Sequence, residues 1–152
     1  MNVMKIFIVG VIAVAALMAG CNLAPSVARI NTDPGGQAAK GYDTVAFFAK
    51  NAAVRGNPAY EYAWNGAKWF FSSEENLEKF KANPDAYSPQ FGGYCVYSAA
   101  QGKLVEGNPE HYKVIDGKLY FCNNAEAKEA WEGSEDDLIK KAEKFWAEIQ
   151  AK

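Results

Sequence analysis

The body of this chain is written twice. Gly41-Tyr42 recurs at Gly93-Tyr94, Val54-Arg55-Gly56-Asn57-Pro58 recurs as Val105-Glu106-Gly107-Asn108-Pro109, and Asn65-Gly66 recurs as Asp116-Gly117. The same offset then pairs Phe70 with Phe121, Glu75 with Glu126, Glu78 with Glu129 and Phe80 with Trp131. Two units of roughly 40 residues, about 41–80 and 93–131, are related by one single-residue gap. Two copies are too few for a solenoid, so the pattern predicts one small pseudo-symmetric core.

Each unit reads as a hairpin followed by a helix. Asn65-Gly66 and Asp116-Gly117 supply the positive φ angles of a two-residue type I′ turn, which predicts β-hairpins over Tyr60–Phe71 and His111–Cys122. Ser72 with Glu75, and Asn123 with Glu126, stand at capping-box spacing and predict a helix after each hairpin. Leu77 and Phe80 give the first of these its apolar edge, and Pro84 ends it. Asp43 is placed to cap a short helix carrying Val45, Ala46 and Phe48, with Cys95–Ala100 as its counterpart. A final amphipathic helix is expected from Ser134, with Asp137 completing its box and Leu138, Ile139, Ala142, Phe145, Trp146 and Ile149 on one stripe. The fold class is α+β: two pseudo-repeated hairpin-and-helix units in one core, plus a C-terminal amphipathic helix.

Among the 152 residues are 16 basic and 18 acidic side chains, one histidine and three cysteines. That balance gives no basic footprint, so nucleic acid is excluded as a partner. The odd cysteine is accounted for at the N-terminus. A charge at Lys5, an uncharged apolar run over 6–19 and then Gly20-Cys21 have the layout of a secretory signal. The run is too short to span a bilayer. Leu17-Met18-Ala19-Gly20-Cys21 resembles a bacterial lipobox, which makes 1–20 a signal peptide and Cys21 the lipidated residue. A plain signal peptide or a single-pass anchor is the competing reading. Residues 21–40, with Pro25, Pro34, Gly35 and Gly36, read as a lipidated tether, and 41–150 as the folded domain. The expected location is extracytoplasmic and membrane-anchored, on the periplasmic face of an outer membrane if the source has two membranes.

Tyr62–Tyr87, with its Asn65-Gly66 turn, Trp69-Phe70-Phe71, Phe80, Asn83-Pro84 and Tyr87, resembles the YHS-domain family. Gly41-Tyr42-Asp43, Gly92-Gly93-Tyr94-Cys95 and Asp116-Gly117-Lys118-Leu119-Tyr120 extend the likeness to the secreted, stand-alone branch. In the family's metal-associated members three cysteines are the expected soft ligands. Cys95 matches the first and Cys122, in Tyr120-Phe121-Cys122, the second. The third position here is Glu126, which the capping-box reading already employs.

The hairpin adds a geometric expectation. A two-residue turn at Asp116-Gly117 sets Ile115 opposite Lys118 and, further along an unbroken ladder, His111 opposite Cys122. With Cys95 brought alongside, that set would suit copper(I) or zinc. In an oxidising compartment a Cys95–Cys122 disulfide competes with this, as do two unpaired structural thiols. The patterns also conflict over which face is buried. In the first hairpin Tyr60, Tyr62, Trp64, Trp69 and Phe71 share the greasy face, whereas in the second Tyr112, Val114, Leu119 and Phe121 form the opposite one. Either the faces are used differently or a bulge shifts a strand. No glycine-rich phosphate loop or nucleophile elbow is present, and one histidine allows little acid–base chemistry. The expectation is a protein that binds, a metal ion or a protein partner, and does not catalyse.

Overall fold

The computed structural model describes residues 29–152. The signal peptide, the lipobox with Cys21 and residues 22–28 of the expected tether lie outside them.

Two antiparallel hairpins carry the fold: β1 (Asn57–Trp64) with β2 (Ala67–Phe71), and β3 (Asn108–Ile115) with β4 (Lys118–Cys122). Their turns are as expected, with φ of 50° and 77° at Asn65 and Gly66 and 49° and 71° at Asp116 and Gly117. A bulge interrupts each ladder at the same place, between Asn57 and Glu61 in the first and between Asn108 and Tyr112 in the second. The conflict over buried faces dissolves once both sheets are in view. Ala67, Trp69 and Phe71 point into the first unit's core, and Tyr120 and Cys122 occupy the equivalent face of the second. β4 is buried on its other face too, where Leu119 and Phe121 meet Phe47 and Tyr42 of the first unit in a shared cluster. That extra apolar face joins the two halves.

The helices are α1 (Thr44–Ala49), α2 (Glu74–Ala82), α3 (Pro84–Tyr87), α4 (Val96–Ala100), α5 (Ala125–Trp131) and α6 (Glu135–Gln150). Asp43 caps α1 as expected. The caps of α2 and α5 fall one residue later than the capping-box reading placed them. Ser73 accepts from Asn76 N and Asn124 from Ala127 N. Ser72 and Asn123 are thereby released for other bonds, and Glu126 is an exposed residue of the first turn of α5, not a box carboxylate. Ser134 makes no side-chain cap on α6. Instead Lys113 Nζ fastens that end, 2.6 Å from Glu135 and 3.6 Å from Glu132.

The duplication extends to single bonds. Asp43 N donates to Val54 O at 2.8 Å, and Cys95 N to Val105 O at 2.9 Å. The bridges Tyr42 to Arg55 and Gln37 to Lys68 recur as Tyr94 to Glu106 and Pro89 to Leu119. A left-handed turn precedes each Tyr, with φ of 48°, 50° and 77° at Ala39, Lys40 and Gly41, and 54°, 61° and 85° at Phe91, Gly92 and Gly93. Residues 29–40, expected as the end of a tether, pack onto this frame. Ile30 is buried in the first core, Asn31 N donates to Gly92 O, and Ala38 N to Lys68 O. At Gly92 a Cβ would lie 2.1 Å from Arg29 O, so the close approach of this segment requires glycine there.

Candidate metal centre

The first unit supplies the template for the site. Asp43 is fully buried, yet among the described residues its carboxylate has no cationic partner in hydrogen-bonding contact; five neutral donors surround it. Oδ1 accepts from Val45 N at 2.9 Å and Ala46 N at 3.2 Å, the capping bonds of α1. Oδ2 accepts from Ser72 N at 2.8 Å, Ser72 Oγ at 2.6 Å and Asn76 Nδ2 at 2.7 Å, which tie α1 to the end of β2 and the start of α2. A buried carboxylate is tolerable only when its lone pairs are satisfied in this way. The sequence reading saw Asp43 as a cap and missed the rest. The signal was available in the Ser-Ser pair at 72 and 73, which leaves one serine free when the other caps α2.

Cys95 stands at the equivalent position of the second unit. It caps α4, its sulfur accepting from Ser98 N at 3.5 Å, just as Asp43 accepts from Ala46 N. The Asn123 amide, counterpart of Ser72 N, also supports it. The frame that satisfies a carboxylate in one half therefore meets a sulfur in the other. Hydrogen bonding from the Cys122 thiol is the largest influence on Cys95. Burial opposes it, while the Ser98 side chain and the Ser98 and Asn123 amides reinforce it, and the Cys95 thiol is held down to about 5. Cys122 is driven the other way by donating to Cys95, by burial and by the neighbouring charge. The two behave as one acid that loses its first proton easily and keeps the second.

Both thiols are free, so the disulfide reading is not what the structure holds. Each has 0% exposure, within a cluster that includes Tyr120, Trp131 and Ala142. Packing explains how Cys122 fits where the first unit has Phe71: Trp131 replaces Phe80, and the larger indole takes up volume the smaller side chain leaves. The indole Nε1 of Trp131 is buried and finds no hydrogen-bond partner among the described residues, a polar group orphaned in the thiols' own cluster.

His111 does not join them. The bulge between Asn108 and Tyr112 removes it from the ladder, and Asn108, not His111, is paired with Cys122. The unbroken register that the sequence reading assumed fails because three residues of β3 are looped out of pairing on that side. Among the described residues no group of three or more His, Cys, Asp or Glu side chains is arranged to hold a metal ion. The donor set the described residues offer at this place is thus two sulfurs. That falls short of the three or four protein ligands of a zinc site, and it suits a soft ion content with two thiolates.

Against known families, residues 50–91 match the YHS domain. The likeness to a YHS domain is thus shown over that stretch. No curated protein and no solved structure matches it. The YHS match covers the first hairpin with α2 and α3 and ends at Phe91, before either cysteine. The thiol pair lies in the repeat of that unit, where the aromatic pair Phe71 and Phe80 has become Cys122 and Trp131.

Proposed function

We propose that this protein is a membrane-tethered, extracytoplasmic YHS-domain lipoprotein that binds a soft metal ion, of the copper(I) class, on Cys95 and Cys122, and that it binds without catalysing a reaction. The observation that carries the reading is the pairing of two free, fully buried thiols, one of them in a frame that favours its thiolate. When bound, the ion would be held by the two sulfurs, and the apolar wall of Tyr120, Trp131 and Ala142 would keep water from it. The tether rests on the lipobox-like Leu17–Cys21, and the location follows from it.

Copper(I) titration in a competing chelator, on reduced protein in a Cys21→Ser background, tests the metal. One ion per chain is expected, with affinity lost in Cys122→Ser. Equal affinity in that variant would remove Cys122 from the site. No binding by the parent with both thiols demonstrably reduced would leave a non-catalytic interaction module. For the tether, Cys21→Ser in the native host should move the protein from the membrane fraction to the soluble one. Unchanged fractionation would overturn the lipid anchor.

A further inference from the structure

Two sulfurs at zero exposure raise the question of how anything reaches them. Their cluster is closed on one side by α6. Only Ala142 of this helix is fully buried, while Leu138, Ile139, Phe145 and Trp146 are half-buried against the cluster. α6 lies along α4, the helix that Cys95 caps. The duplication ends at Trp131, so α6 has no counterpart in the repeat, and it lies over the unit that bears the thiols.

This 16-residue helix packs along α4 but places one fully buried side chain, Ala142, in the core. The turn from α5 runs through Gly133, whose φ of 84° and open surroundings suit a pivot. No side chain caps its start, and Lys113 on β3 is the fastening, through Glu135 and Glu132. Elements with few fully buried contacts open at lower free energy than the core they cover. The β4 strand beneath, buried on both faces, does not share that freedom.

We propose that α6 is a lid over the Cys95–Cys122 pair: ions and thiol reagents enter by a local opening in which α6 parts from α4 about Gly133, while both hairpins stay folded. Where the entering species is a metal ion, this rests on the metal reading above. The opening itself does not.

Thiol reactivity under native conditions tests it without metal. In the reduced Cys21→Ser protein, the reaction of the two remaining thiols with the uncharged disulfide 4,4′-dithiodipyridine is followed through the thiopyridone released, at urea concentrations well below the unfolding midpoint. The lid predicts a rate nearly independent of urea and at least about ten-fold above what the globally unfolded population permits. Leu138→Ala, which trims α6, should raise that rate by about ten-fold, and Lys113→Met should raise it to a smaller degree. Leu77→Ala, a comparable truncation in the first unit, should leave it unchanged. A rate with the full urea dependence of unfolding, rising equally in Leu138→Ala and Leu77→Ala in step with their lost stability, would overturn the lid. Copper(I) transfer from a chelator then separates the two ideas. Reagent access through α6 with no copper retained sinks the metal reading and leaves the lid standing.

Discussion

Cys95 occupies in the second half of the molecule the place that Asp43 occupies in the first: N-cap of a short helix, acceptor of the third residue's amide, and neighbour of the residue that follows the hairpin. The relationship explains why a buried sulfur here is more than a packing residue. The surrounding amides are arranged for an anion in both halves.

The two positions should nevertheless differ in cost. Asp43→Ala removes the acceptor of five hydrogen bonds and strands the buried Asn76 amide, so it is expected to destabilise by about 3–5 kcal/mol. Cys95→Ala forfeits a weaker cap and should cost about 1–2 kcal/mol at pH 5, where the thiolate adds little. Urea unfolding of the two variants checks the order. An Asp43→Ala penalty no larger than an ordinary cap would contradict the role given to that carboxylate.

The thiol pair imposes a pH signature. A Cys95 thiol lowered from an ordinary 9.0 to about 5 stabilises the fold fully above the ordinary value, and the contribution is lost as pH falls toward about 5. Cys122, raised, acts in the opposite sense: its contribution is intact below the ordinary thiol range and is lost as pH climbs beyond it. The difference in stability between the reduced parent and Cys95→Ala should therefore widen from pH 5 to pH 9. Absorbance of the thiolate near 240 nm should show one sulfur ionising near the lower limit. A difference that is flat with pH would remove the anionic frame.

Much of this architecture was legible in the sequence. The repeat, both type I′ turns and the Asp43 cap follow from residue types at fixed spacing, because Asn-Gly and Asp-Gly report their own backbone angles. The caps of α2 and α5 were misplaced by one residue because Ser72-Ser73 and Asn123-Asn124 each offer two candidates, and tertiary bonds to Asp43 and to Glu106 O decide between them. Cys95 and Cys122 entered as candidates through the family resemblance and as the two thiols left once Cys21 is assigned to a lipid. The exclusion of His111 was not legible, since the bulge lies where Glu110 accepts from Tyr42 of the other unit, a tertiary contact that leaves no period in the sequence.

The repeated Val-x-Gly-Asn-Pro motif has its own test. A Cβ at Gly107 would lie 2.2 Å from Gly93 O and 2.7 Å from Phe121 Cβ, and one at Gly56 2.5 Å from Phe70 Cβ. Gly107→Ala and Gly56→Ala should each cost about 2 kcal/mol or more through overpacking. Gly117→Ala, in open space at φ 71°, should cost about 1 kcal/mol from backbone strain alone. Thermal or urea unfolding distinguishes them, and equal penalties would mean the close approaches relax.

Removing the histidine should leave the metal unaffected. His111→Ala is expected to retain the copper(I) affinity and stoichiometry of the parent, since the bulge takes His111 off the Cys122 position. A loss of about ten-fold or more, the scale on which a ligand or its support is felt, would return His111 to the site.

The most direct measurement is X-ray absorption at the copper edge on the reduced Cys21→Ser protein loaded with one equivalent of copper(I). Two sulfur neighbours and no imidazole scattering are predicted, with the signal abolished in Cys122→Ser. A histidine pattern, three or more sulfurs, or copper that persists unchanged in Cys122→Ser would contradict the two-thiol centre.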